Sequence, residues 1–243
     1  MRRVAVIIPA RFGATRFPGK PLADLGGKPL ISHVVERARR ARGVEIVAVA
    51  TDDERIARAA ERAGARAIMT GPAATGTDRV AAAARLLAPP PEIVVNLQGD
   101  EPLIEPAAIE ALVSAMEASG AGMATLARPL EDGELERPQV VKVVTGLSGD
   151  ALYFSRAAIP HRRAGGASPL ARAHVGIYAF TAEFLQAFAA LPAGRLEAEE
   201  SLEQLRALEH GHRIRVADTG YRGFGIDTPE DLARARALLA AGA

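Results

Sequence analysis

An α/β fold on a mixed, mostly parallel sheet with helices on both faces is what this 243-residue sequence predicts. Three observations carry that expectation. Short continuous apolar runs recur as buried strands. Helical patterns with start and stop signals alternate with them, the signature of a parallel sheet. The middle of the chain then breaks the alternation, with strands following one another directly. Together they describe a single domain over 1–243 carrying a β-rich insert at about 123–180.

The first strand is expected over 3–9, where Val4, Ala5, Val6, Ile7 and Ile8 run without a polar interruption. Over 29–41, Leu30, Ile31, Val34, Val35 and Ala38 recur at helical spacing. A second strand follows at 46–50. Asp52, Asp53 and Glu54 then place acids at the start of a helix that Gly64 ends, as the helix dipole prefers. A short strand at 66–69, a helix at 77–87 and a fourth buried strand at 93–97 complete this half. The insert shows strands at 123–130, 140–145, 152–154 and 174–180. Helices are expected at 182–191 and 198–210, and a strand at 213–217. A closing helix spans 228–240, with Thr228 as N-cap and Pro229 in the first helical position.

Composition narrows the function. Hydrophobic residues make up 49% and charged residues 24%, as in a soluble globular protein. The net charge of +1 provides no field for nucleic acid or a membrane surface. Aromatics are only 4%, too few for a base-stacking platform. The absence of cysteine removes disulfides, thiolate metal sites and a cysteine nucleophile. The apolar run ending at Pro9 is too short for a signal peptide, and no run reaches the length of a membrane span. The expected location is the cytoplasm, without membrane insertion.

The first strand empties into the richest loop of the chain, with Gly13 and Gly19 among the cations Arg11, Arg16 and Lys20. Glycine lets the backbone approach oxygens and fixed cations offset their charge, so the loop suits a polyphosphate. It is not a Walker loop: five residues separate Gly13 from Gly19, and Pro21 follows Lys20 where that motif needs Ser or Thr. The three-glycine dinucleotide spacing is absent too. Two further loops stand at expected strand ends. One is Asn96-Leu97-Gln98-Gly99-Asp100-Glu101-Pro102; the other is Gly223-Phe224-Gly225-Ile226-Asp227-Thr228-Pro229. Two carboxylates beside a phosphate loop suggest Mg²⁺, which favours oxygen ligands and keeps substrate phosphates. Read alone, Asp100 serves equally as a turn residue and Asp227 as a helix cap. Thr75, Gly76 and Arg79 open a helix whose free N–H groups suit a nucleotide, or serve as an ordinary cap.

With these segments in view, the sequence resembles the 3-deoxy-manno-octulosonate (Kdo) cytidylyltransferase family essentially end to end. The matching segments are IIPAR at 7–11, TRFPGKPL at 15–22, TGTDR at 75–79, NLQGDEP at 96–102 and GIDTPEDL at 225–232. MATLA at 123–127, VVKVV at 140–144, ALYFSRAAIP at 151–160, HVGIY at 174–178 and LEQLRAL at 202–208 point to the Kdo branch. The resemblance implies a Rossmann-like nucleotide-diphospho-sugar transferase fold, Mg²⁺ and a homodimer joined through the insert. It implies transfer of CMP from CTP to the anomeric hydroxyl of Kdo, releasing pyrophosphate, for lipopolysaccharide synthesis. Arg11, Arg16 and Lys20 match positions that handle the triphosphate, and Thr75, Gly76 and Arg79 positions near the nucleotide. Gln98 and Asp100 match the active-site turn, Gln98 serving nucleotide and sugar, and Asp227 the second metal-binding aspartate. Arg156, Arg163, His174, Tyr178, Glu203 and Gln204 match positions facing the sugar acid. Lys20, Arg16, Asp100 and Asp227 are thereby the expected catalytic group. One departure is His161, which stands where the family usually has an aromatic residue.

Without the resemblance, His174 and Tyr178 read equally as core residues, and Glu203 and Gln204 as an exposed helix face. Competing acceptors are an 8-amino form of Kdo, sialic acid or a sugar phosphate. From another class, a nucleotide-binding regulatory protein without turnover is also consistent with the phosphate loop. That reading predicts nucleotide-dependent melting without pyrophosphate release.

Overall fold

The computed structural model describes residues 2–13, 17–163 and 170–240. Chain contacts divide it into two compact units, residues 1–110 with 223–243 and residues 111–222.

The first unit opens on β1 (Val4–Ala10), whose apolar residues from Val4 to Ile8 are all buried. Complete burial of Ile7 and Ile8 stabilises the fold by about 1.5–3 kcal/mol each. A two-stranded ribbon of β2 (Asp24–Leu25) and β3 (Lys28–Pro29) leads to α1 (Leu30–Ala38). Then come β4 (Ile46–Thr51), α2 (Glu54–Arg62), β5 (Arg66–Met69), α3 (Gly76–Leu86) and β6 (Ile93–Asn96). β1 pairs in parallel with β6 on one side and β4 on the other, and β4 pairs in parallel with β5. Both neighbours of β1 are strands, so a continuous apolar run is what its position demands.

Caps set the helix starts. Asp53 accepts the Arg55 N–H at 2.8 Å ahead of α2. Thr75 accepts the Asp78 N–H while Asp78 accepts the Thr75 N–H, a reciprocal box at the start of α3.

Helix α4 (Pro106–Ser119) contains the division between the units. The second unit continues with β7 (Met123–Pro129), β8 (Lys142–Thr145), β9 (Ala151–Ser155) and β10 (Arg172–Thr181). It ends with α5 (Ala182–Ala190), α6 (Arg195–Glu200), α7 (Leu205–Glu209) and β11 (Ile214–Asp218). β7 pairs antiparallel with β10 and parallel with β11; β8 pairs antiparallel with β10 and β9. The α8 helix (Pro229–Ala240) belongs to the first unit; Thr228 caps it as its sequence predicts, and the Asp231 carboxylate accepts the Thr228 N–H in return.

The fold class is therefore as expected, an α/β architecture with a mixed sheet. Several details differ. Helix α4 and the β2–β3 ribbon stand where no element is expected. The helix expected over 198–210 is two helices, because Ser201 adopts a left-handed φ of 52° that a helix cannot contain. The strand expected from residue 140 begins at Lys142. No helix among the described residues is long and apolar enough to cross a membrane.

Candidate active site

A cleft of about 370 Å³ lies in the first unit at the carboxyl ends of β1 and β6. That is where an open parallel sheet binds ligands. It is lined by Arg11 and Lys20, by Thr75, Gly76 and Arg79, and by Gln98, Asp100 and Asp227. These are all the described residues expected on the nucleotide and metal side; Arg16 lies outside the described residues.

Lys20 is the hub. Gly19, with φ 73°, turns the chain into a short 3-10 turn at Lys20–Leu22, and its N–H donates to the Phe12 carbonyl at 2.9 Å. The Lys20 ammonium then donates to Asp100 Oδ2 at 2.7 Å, the Ile226 carbonyl at 2.7 Å and Asp227 Oδ1 at 3.3 Å. Gly99 is required beside it, since a Cβ there would stand 2.9 Å from the Pro9 carbonyl oxygen.

Two carboxylates thus converge on one nitrogen. Among the described residues there is no cluster of three or more side chains suited to hold a metal. A two-carboxylate set fits Mg²⁺, which completes its shell with water and substrate phosphates, and does not fit a structural transition-metal site. Thr228 and Asp231 cap α8, so Asp227 is not needed as the cap.

The other nucleotide-side residues have structural partners as well. Thr75 spends its hydroxyl on the α3 cap. Arg79 is buried, donating to Thr70 Oγ1 and to Asp52, both at 2.7 Å. Gln98 donates to Asn96 Oδ1 at 3.5 Å, and Asn96 in turn donates to Thr77.

The second unit gathers a separate polar cluster on β10 and its neighbours. The β10–β7 register shifts between Val175 and Tyr178. A regular strand rises about 3.3 Å per residue and would hold positions 174 and 178 far apart. Here the His174 and Tyr178 rings approach to 5.6 Å, a contraction the irregularity permits. The Thr125 hydroxyl donates to the Ile177 carbonyl at 2.8 Å, so its oxygen accepts from His174 Nε2 at 2.9 Å. Burial holds the His174 pKa down at about 3, and the ring is neutral. Tyr178 donates to Gln204 Oε1 at 3.1 Å; burial, with the Glu203 charge, raises its pKa. The Gln204 amide nitrogen is buried without a hydrogen-bond partner among the described residues. Glu203 lies 3.8 Å from Arg206. Arg163 is exposed.

Comparison with known proteins shows the family. The cytidylyltransferase family profile matches residues 5–214. A 3-deoxy-manno-octulosonate cytidylyltransferase from Anaeromyxobacter dehalogenans is 82% identical over 243 residues, the whole of both chains. The chain belongs to the 3-deoxy-manno-octulosonate cytidylyltransferases. A solved CMP:2-keto-3-deoxy-manno-octonic acid synthetase complexed with CTP superimposes with a TM-score of 0.93 at 42% identity, covering 99% of this chain and 100% of that one. An 8-amino-3,8-dideoxy-manno-octulosonate cytidylyltransferase from a Shewanella species is 50% identical, covering 98% of both.

In this cytidylyltransferase, Arg156, which matches a position facing the sugar acid, is engaged within the fold. Its guanidinium donates to the main-chain oxygens of Glu200, Pro138 and Ser201. Its own carbonyl accepts from Lys142, whose fully buried ammonium also donates to the Arg137 and Val140 carbonyls. Desolvation lowers the Lys142 pKa. In the sequence Lys142 reads only as part of an apolar strand, a lone lysine among four valines; two of its acceptors, Arg137 and Val140, lie just upstream and the third, Arg156, lies farther along the chain. Glu101, next to Asp100, carries no expectation in the sequence beyond its place in the loop. Its carboxylate accepts the Phe224 N–H at 2.9 Å, and the Asp100 carbonyl accepts the Ile226 N–H at 3.0 Å.

Proposed function

We propose that this chain transfers CMP from CTP to the anomeric hydroxyl of Kdo, giving CMP-Kdo and pyrophosphate for lipopolysaccharide synthesis, in the cytoplasm. The observation that carries the chemistry is the Lys20 ammonium seated between Asp100 and Asp227 in the first-unit cleft. The choice of base and sugar rests on the family and on the 82% identity to a Kdo enzyme.

The sugar hydroxyl attacks the α-phosphorus and pyrophosphate departs, a reaction governed by positioning and charge stabilisation. Arg11, Arg16 and Lys20 receive the triphosphate. Thr75 and Gly76 present the α3 N-terminus to its negative charge. Gln98 orients the reacting groups, and Arg79 braces the nucleotide pocket from its bonds to Asp52 and Thr70. Asp100 and Asp227 would hold Mg²⁺, which when bound supplies charge neutralisation and polarises the phosphate.

His174, Tyr178, Glu203 and Gln204 are assigned to the sugar acid. The unpartnered Gln204 amide supports this, because a buried donor is costly without an acceptor. Arg163 takes the sugar carboxylate by bidentate pairing, and Arg156 holds the segment that presents it. Homodimerisation through the second unit is supported by Leu147 and Leu152, large apolar side chains exposed on the β8–β9 hairpin.

The test is pyrophosphate release with CTP and Mg²⁺, offered Kdo, 8-amino-Kdo, sialic acid or no acceptor. Release with Kdo alone is expected. Release with a different acceptor alone overturns the sugar assignment and leaves the metal chemistry. No release from folded, CTP-binding protein overturns the enzymatic reading in favour of a regulatory one.

A further inference from the structure

We propose that Lys20 is a built-in counter-cation for the Asp100–Asp227 pair, released to the nucleotide's phosphates when a divalent cation takes the carboxylates. This rests on the metal assignment above.

An ammonium has three N–H donors and no acceptor. In Lys20 all three are spent, on Asp100 Oδ2, the Ile226 carbonyl and Asp227 Oδ1. Both carboxylates are aimed at one point, and like charges so placed repel unless a cation stands there. The Lys20 side chain is 15% exposed and that of Asp100 27%, so their contact is shielded from water, while Asp227 at 46% is the wetter partner. The lysine therefore neutralises the acidic pair, which the backbone brings together, before any ligand arrives.

A divalent cation is drawn to the same lone pairs. It cannot share them with the ammonium, because two cations at that separation repel each other. Lysine is suited to the exchange: its head is a compact charge on a flexible four-carbon stem, while the 3-10 turn fixes its backbone. Arg11 and the Thr75–Gly76 helix start line the same cleft, so phosphate held there gives the displaced ammonium new acceptors. A cation arriving alone strands the lysine and is bound weakly. A cation arriving with a triphosphate strands nothing. Metal and nucleotide binding are thus coupled, each raising the other's affinity by the same factor.

The test uses Mn²⁺, followed by the electron paramagnetic resonance signal of the free ion. It is titrated with and without a CTP analogue whose α–β bridge is methylene. Lys20→Met is expected to bind Mn²⁺ alone about tenfold more tightly than the unaltered chain, and to lose most of the gain that nucleotide provides. Lys20→Gln, neutral but still a donor, should behave like Lys20→Met, and Lys20→Arg like the unaltered chain. Either neutral variant suffices if the other fails to fold. Neutral variants that bind Mn²⁺ no better than the unaltered chain, while Asp100→Asn still abolishes binding, overturn the counter-cation proposal alone. Mn²⁺ binding indifferent to Asp100→Asn overturns the metal assignment and this proposal with it.

Discussion

Glu101 holds the Phe224 main-chain N–H at 2.9 Å, and this bond ties the Asp227 loop to the turn that carries Asp100. The adjoining Asp100-to-Ile226 main-chain bond and the capping of Asp227 and Thr228 by Asp231 fix the rest of the loop. The two carboxylates thus meet because their backbones are laced together.

Loss of that lacing should appear in turnover. A hydrogen bond to a charged group contributes about 1.5–3 kcal/mol. Glu101→Ala is expected to lower kcat about tenfold to a hundredfold with little change in the KM for CTP. Glu101→Gln keeps an acceptor and should recover most of it. Equal kcat values for the two variants would reject the positioning role.

The carboxylates themselves should matter more. Removing a preorganised charge-stabilising group slows turnover by about 10²–10³. Asp100→Ala and Asp227→Ala are expected to lose at least that much. Steady-state rates over a Mg²⁺ series check this, and near-normal turnover by Asp227→Asn would refute its assignment as a metal ligand.

Gly19 sets the approach of Lys20. Its φ of 73° costs a side-chain-bearing residue about 1–2 kcal/mol, and an added Cβ would stand 3.1 Å from the Phe12 ring. Gly19→Ala should raise the KM for CTP about tenfold, measured beside thermal unfolding to separate loop distortion from loss of fold.

His174 makes stability depend on mildly acidic pH. Its pKa is about 3 in the fold against 6.5 when free, so the unfolded chain binds the proton more readily. Its contribution is present above pH 6.5 and declines as pH falls toward 3, by up to about 1.4 kcal/mol per unit. Urea midpoints at pH 7 and pH 5 should separate in the unaltered chain and draw together in His174→Gln.

Glu134 acts at lower pH. Bidentate bonds from Arg128, both 2.7 Å, hold its pKa down to about 2 from 4.5. Its stabilisation is complete above 4.5 and is lost as pH falls through 2. Glu134→Gln should flatten that part of the acid-unfolding curve. At neutral pH it should cost about 1.5–3 kcal/mol, because Arg128 loses its charged partner while keeping its bonds to the Pro129 and Arg222 carbonyls.

Much of this was open to sequence reading because it depends on local pattern. The unbroken apolar run of β1 demands neighbours on both sides. Thr228, Pro229 and Asp231 start a helix wherever they are placed. Even α4, absent from the expected elements, carries Pro106 at its start and a buried stripe of Ile109, Leu112, Val113 and Met116 at helical spacing. Ser201 is different: nothing in its neighbours announces the left-handed turn that divides α6 from α7.

Local pattern set most of the strands and helices, the helix caps and the residue types available for phosphate and cation, since each depends on a few consecutive positions; α4, the β2–β3 ribbon and the break at Ser201 escaped it. Which of those residues meet was settled by long-range packing of the chain. Lys20 reaches Asp100 across 80 positions and Asp227 across 207. The same packing also committed Arg156 to the main-chain oxygens of Pro138, Glu200 and Ser201. The physical reason is that a charged side chain is defined by the acceptors and charges around it, and these are supplied by segments far apart in sequence.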